Sequence, residues 1–177
     1  MFNLKKRTMH KIIGKIATVL LMLLSLNSIG QNASLSDNII NDMKYMLEEE
    51  KVARDVYEYL GNKWNLRIFQ NIQQSEQRHF ETMENLLNTH NVVYQITNER
   101  GVFYNENLQK MYDALILKGS RSKREALEVG KLIEETDIKD LEKAIENTED
   151  VYIKQIYSNL LWASQKHLKA FNRHLSK

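Results

Sequence analysis

Six residues carry the chemistry that this sequence could do: Glu50, Glu76, His79, Glu134, Asp137 and His167. Glu76 and His79 are three positions apart, as are Glu134 and Asp137, a spacing that projects both members of a pair to one face of a helix. Carboxylates and imidazoles together suit iron, manganese or zinc rather than calcium. If the six share one interior, four carboxylates repel one another, and an unpaired carboxylate in a dry core is strongly unfavourable. No Lys or Arg falls at the matching interior positions, so a pair of divalent ions would supply the compensating charge. Each residue alone has a plainer reading. Glu50 could pair with Arg54 one turn on, Glu76 and His79 could be a chance spacing, and His167 could be a hydrogen-bonded core histidine. Glu134 and Asp137 could lie on a solvated edge beside Glu128, Glu135, Lys139 and Asp140.

The elements that must position these groups are helices. Punctuation and periodicity predict long helices over about 36–61, 66–90, 123–147 and 150–175, with a shorter one near 106–118. Ser34 or Ser36, Ser122 (with Glu125 three residues on) and Asp150 are the expected caps; Gly61, Gly119 and Asn147-Thr148 are the expected ends. The first stripe reads Ile39, Met43, Met46, Glu50, Ala53, Tyr57, Leu60 and the second Ile72, Glu76, His79, Met83, Leu86. The third reads Leu127, Gly130, Glu134, Asp137, Leu141, Ala144 and the fourth Ile153, Tyr157, Leu160, Ser164, His167, Phe171, His174. All four are mainly apolar, and near its middle each is interrupted by a polar or ionisable group. Links of about five and three residues make two antiparallel hairpins, and the long segment 91–122 is their crossover.

Composition agrees. The chain has 177 residues, no Cys and no Pro, only 6 Gly, and a formal net charge of +2. Average proline usage is about 5%, and its absence favours helix interiors. The missing cysteines exclude disulfide scaffolds, zinc fingers, rubredoxin-type iron centres and thiol nucleophiles. Residues 1–15 are basic and 16–30 apolar with small residues at the end, the layout of a secretory signal cut after Gly30, with Ser28 two residues earlier; an uncleaved membrane anchor is the alternative. The first 30 residues hold five of the 25 basic groups and no acid, so the remaining 20 basic groups face 23 acidic ones, a formal −3. That balance argues against a nucleic-acid partner. The domain expected to work is 31–177, exported to a periplasmic or extracellular location, or held at the membrane if the leader is retained.

The stretches EEEKVARDVY (48–57), NIQQSEQRH (71–79), GKLIEETDIKDL (130–141) and LLWASQKHLKAF (160–171) resemble the ferritin-like superfamily of rubrerythrin-like di-metal four-helix bundles. Within it, the chain is most similar to an uncharacterised bacterial branch. The resemblance spans residues 38–175. It implies a Glu ligand at Glu50, a bridging carboxylate at Glu76 with His79 beside it, a third-helix ligand at Glu134 with Asp137 a further acid, and a final imidazole at His167. The pattern departs at one place: the second Glu-x-x-His is here Ser164-x-x-His167, and serine cannot bridge metals. Asp137 would have to compensate; otherwise the second ion is held weakly or neither is held.

Three functions follow as expectations. The first is a redox enzyme in which two iron or manganese ions reduce oxygen or peroxide, with Tyr57 beside Glu50 as a catalytic candidate and an unidentified electron donor or oxidant as partner. The second is a non-catalytic metal-binding protein. The third is a structural bundle with a degenerate site. A homodimer is conceivable through Trp64, Phe103 and Trp162.

Overall fold

The computed structural model describes residues 35–177. The signal segment, its cut after Gly30, and the cap at Ser34 lie outside them. Five helices and no strand occur among the described residues: α1 Asp37–Trp64, α2 Arg67–Thr89, α3 Glu106–Gly119, α4 Lys123–Asn147 and α5 Val151–Leu175. None of them is long and apolar enough to cross a membrane. The closest packing is α1 on α2 and α4 on α5, the two expected hairpins; α3 lies against both α1 and α4.

The caps explain where the helices begin. Ser36 accepts from the Ile39 amide, Ser122 from that of Glu125, and Asp150 from those of Tyr152 and Ile153. Each satisfies donors that a helix start leaves free. The first boundary differs from expectation. α1 does not stop at Gly61 but continues to Trp64 and ends on Asn65, in the left-handed region at φ 49°. Gly61 is buried where a Cβ would stand 3.1 Å from Cβ of Phe69, so it serves the close approach of α1 and α2 rather than a helix end. The link between them shrinks to Asn65 and Leu66.

Every residue of α1 from Met46 to Tyr57 is buried, on all sides of the helix. Apolar helix faces alone could not accommodate a sequence as charged as EEEKVARD. The crossover does: the Glu48 carboxylate accepts from the amides of Tyr104 and Asn105 at 2.7 and 2.8 Å, and Lys51 Nζ donates to the carbonyls of Glu99 and Val102. Asp55 accepts from Lys51, Arg54, Arg100 and the Gly101 amide. Segment 99–105 therefore covers the flank of α1. Phe103, considered for a dimer face, is buried in the core; Trp64 donates its indole N–H to the Gly119 carbonyl, and Trp162 alone of the three is exposed.

Below the site, Tyr57, Phe69 and Phe171 pack as a ring of three with centroids 5.4–5.7 Å apart. Gly130 makes room for it: a Cβ there would meet the Phe171 ring at 2.2 Å.

Candidate metal centre

α1 contributes Glu50, α2 Glu76 and His79, α4 Glu134, and α5 His167. Glu50, Glu76, His79 and Glu134 are buried, and the His167 side chain is 13% exposed. Glu76 lies at the middle. Its Oε2 is 2.8 Å from Nδ1 of His79, and its Oε1 is 2.9 Å from Nδ1 of His167. Glu50 Oε2 reaches His79 Nδ1 at 3.3 Å, and Glu134 Oε2 reaches His167 Nδ1 at 3.5 Å. The two imidazoles lie 5.8 Å apart and nearly parallel, at 21°. Two three-ligand clusters result, Glu50–Glu76–His79 and Glu76–Glu134–His167, each with its donor atoms within 4.8 Å of one another. They share Glu76, one oxygen facing each side.

These groups are close without being hydrogen-bonded. Glu50 Oε1, Glu76 Oε1 and Nδ1 of both histidines have no hydrogen-bond partner of acceptable angle, although all are buried. Buried polar groups of folded proteins are almost always satisfied. Lone pairs converging on common points from four helices fit cations at those points, and the donor set, three carboxylates and two imidazoles, fits iron, manganese or zinc. Supporting contacts orient the ligands. The Tyr57 hydroxyl donates to Glu134 Oε1 at 2.6 Å and to the Gly130 carbonyl at 3.2 Å, and Ser75 Oγ stands 3.4 Å from His79 Nε2.

In the metal-free chain protons balance the charge. Burial disfavours imidazolium at His79, but the carboxylates of Glu50 and Glu76 outweigh it and push its pKa up to about 11. His167 is raised in the same way, by Glu134 and Glu76 against burial, to about 9. Burial raises Glu50 and Glu134 to about 7 each, with His79 and His167 respectively opposing it. Glu76, buried but facing both imidazoles, falls to about 2.

Three expectations change here. Arg54 is not the partner of Glu50: it donates to Asp55 and to Gln77, and α1 turns it away from the site. Asp137 is buried at the same level but belongs to neither cluster. Ser164 donates its hydroxyl to Asp137 Oδ2, so the residue standing where a second bridging carboxylate was expected is engaged with the acid meant to replace it. Tyr57 touches Glu134 of the α4 cluster rather than Glu50.

The sequence reading missed Glu49, which is as buried as Glu50 and has neither carboxylate oxygen hydrogen-bonded. Its off-stripe position concealed it; α1 having no solvent face over 46–57 is the reason, and the unbroken run of charges there was the available sign.

Comparison with known proteins finds relatives of the chain. The family described as an uncharacterized protein domain, DUF2202, matches residues 40–177. Uncharacterized protein MJ0754 of Methanocaldococcus jannaschii is 46% identical over 132 residues, covering 74% of this chain and 71% of the relative. The crystal structure of hypothetical protein MJ0754 from Methanococcus jannaschii DSM 2661 superposes with a TM-score of 0.80 at 42% identity, over 84% of this chain and 86% of that one.

Proposed function

The chain belongs to the DUF2202 family, and we propose that it is a ferritin-like protein holding two divalent metal ions, iron or manganese, on either side of Glu76. The observation that carries this reading is the pair of clusters sharing one carboxylate, with four of their donor atoms unpartnered in the interior. Glu50 and His79 would hold one ion, Glu134 and His167 the other, and Glu76 both. In the general ferritin-like pattern two helices supply a Glu each and two supply Glu-x-x-His; here Ser164 stands in place of one of those carboxylates, so Glu76 alone would be shared by both ions.

Two adjacent redox ions supply two electrons at one place, as many as reduction of peroxide to water consumes together with two protons. The chain's own residues serve that chemistry by placement. Tyr57 fixes the Glu134 carboxylate, keeps one oxygen turned to His167, and stands within a hydrogen bond of the ligand set. His79 and His167 would surrender their protons as ions bind, so loading releases protons and is favoured as pH rises. We propose the peroxide- or oxygen-reducing activity on this basis, with an external electron donor, because the chain has no Cys to hold a rubredoxin-type centre. The layout of residues 1–30 supports a place outside the cytoplasm.

Non-catalytic metal holding is the second reading, favoured by the Ser164–Asp137 contact, which subtracts a bridging ligand. One experiment separates them: chain purified without chelators is analysed for metal, reloaded with Fe(II) without oxygen, and mixed with peroxide. Oxidation of about two iron ions per chain and repeated turnover with a reductant support the enzyme. Bound iron that never turns over selects the holding protein, and no bound metal rejects both.

A further inference from the structure

The paired clusters come nearest the surface at one ligand. The His167 side chain is 13% exposed, against 9% for His79 and 1–2% for the three carboxylates. The two imidazoles come together where α2 meets α5. One turn to either side of them the side chains are short and half-buried: Ser75 and Thr82 around His79, Ala163 and Ala170 around His167. These positions, four before and three after each histidine, share its side of the helix. No long side chain from them covers the imidazoles along this junction.

The exposed charge beside the junction has one sign. α5 carries Lys154, Lys166, Lys169 and Arg173 and no Asp or Glu, and residues 67–80 of α2 hold Arg67, Arg78 and a single acid, the buried Glu76. Arg67, Arg78, Lys166 and Arg173 are all exposed, and none is ion-paired among the described residues. By helical period Arg67 and Arg78 run along α2 just outside Ser75 and Thr82, and Lys166 and Arg173 along α5 just outside Ala163 and Ala170. Glu81, the next acid of α2, accepts from Gln77, whose own oxygen accepts from Arg54 of α1, so it lies on the side away from α5. In residues 31–177, with 20 basic groups against 23 acidic ones, this basic face is a local exception. Trp162 stands exposed on it, with Lys166 Nζ 3.0 Å from its ring centroid.

We propose that the α2–α5 face receives an acidic one-electron carrier protein, with His167 as the way in for its electrons. This rests on the redox reading above and names the chemistry of the donor and the place where it docks. Each carrier is oxidised by one electron, and two encounters replace the two electrons that reduction of one peroxide, with two protons, to two waters consumes. Complementary charge steers such encounters and fixes their orientation, and electron-transfer contacts are small and transient, as a face of a few cations and one aromatic ring allows. An anionic lipid surface suits the face less well: Trp162 is the one exposed large apolar side chain of α5 beyond Tyr152.

Docking is tested first without metal, by titrating the full chain with an acidic two-iron ferredoxin in its oxidised form. Wild-type chain should bind it, and at least about tenfold more weakly at about 0.2 M salt than at about 0.02 M. Lys166→Glu combined with Arg173→Glu should weaken binding at the lower salt at least about tenfold. Lys110→Glu combined with Lys118→Glu makes the same change of charge on α3, which packs on α1 and α4, and should stay within about twofold of wild type. Circular dichroism of each variant confirms folding. On iron-loaded, oxidised chain the α5 pair should slow reduction by reduced ferredoxin by a similar factor, and should not slow reduction by the methyl viologen radical, a small cation. No binding by wild-type chain, or unchanged binding by the α5 pair, overturns the proposal. Equal weakening by the α3 pair overturns it in favour of net charge. Weaker binding with an unchanged rate of reduction overturns it by placing electron entry elsewhere. Weaker binding of the α5 pair to phosphatidylglycerol vesicles, with ferredoxin binding unchanged, overturns it in favour of a lipid surface. Chain that binds no iron, or bound iron that even methyl viologen fails to reduce, rejects the redox reading and this proposal with it, whereas the preceding outcomes leave that reading standing.

Discussion

Ser164 donates its hydroxyl to Asp137 across the α4–α5 hairpin, both residues being buried. Asp137 thereby faces Ser164 instead of the imidazole of His167, although sequence spacing puts all of them at one level. The contact divides the interior acids into those that share points with a histidine and those that do not.

Asp137→Asn should therefore leave the metal content at about two ions per chain, because the amide oxygen still accepts from Ser164 and no cluster loses a ligand. Elemental analysis of the purified variant checks this. A fall to one ion would make Asp137 a ligand after all.

Glu76→Gln should behave oppositely. It removes the one carboxylate common to both clusters, so both ions should be lost, whereas Glu50→Gln should lose one and keep the His167 ion. Thermal unfolding with and without added Mn(II) provides an independent reading, since an ion that binds only the folded chain raises its melting temperature. Equal losses in the two variants would contradict the shared-carboxylate arrangement.

Much of this was legible in the sequence, and the reasons are local. Interrupted stripes identify Glu50, Glu76, His79, Glu134 and His167, because periodicity alone decides which side of a helix faces a bundle core. Caps at Ser36, Ser122 and Asp150 are read from neighbours within one turn. What escaped depends on long-range contact. The burial of Glu48, Glu49, Lys51 and Asp55 follows from the crossover lying along α1, which no spacing within α1 reveals. Arg54 was the plausible partner of Glu50 by spacing, but Asp55 lies nearer its guanidinium.

The pH dependence of the metal-free chain has a definite sign. The folded pKa values of His79 and His167, about 11 and about 9, exceed the ordinary 6.5, and those of Glu50 and Glu134, about 7, exceed 4.5. A raised folded value contributes stability that is present below the unfolded pKa and lost as pH climbs through the folded one. Glu76, depressed to about 2, contributes at all pH values above its unfolded pKa and is lost only in strong acid. The metal-free melting temperature should fall between about pH 6 and pH 10, while the increment produced by Mn(II) grows over the same range because fewer protons must leave. Calorimetric scans across that range check both trends; a metal-free melting temperature that rises with pH would oppose the assignment.

Tyr57→Phe keeps the ring among Phe69 and Phe171 and deletes the hydroxyl that fixes Glu134. The expected loss is about 1 kcal/mol of stability, with weakened binding of the ion at His167 and unchanged binding at His79. Competition against a chelator of known affinity resolves the two sites.

Asp55→Asn tests the crossover. It leaves Lys51 and Arg54 buried with one charge partner fewer, and breaking a buried ion network of this kind costs about 3–5 kcal/mol. Denaturant unfolding should register the loss, and proteolysis should open segment 99–105 first. A change below about 1 kcal/mol would show that the segment is held without the Asp55 contacts, by Glu48, Lys51 and Phe103.

The central claim is tested most directly by diffraction from crystals grown with Mn(II), recorded where manganese scatters anomalously. Two anomalous peaks, one between Glu50, Glu76 and His79 and one between Glu76, Glu134 and His167, are the predicted result. No peak at either place, with the imidazoles instead hydrogen-bonded to the carboxylates around them, would contradict it.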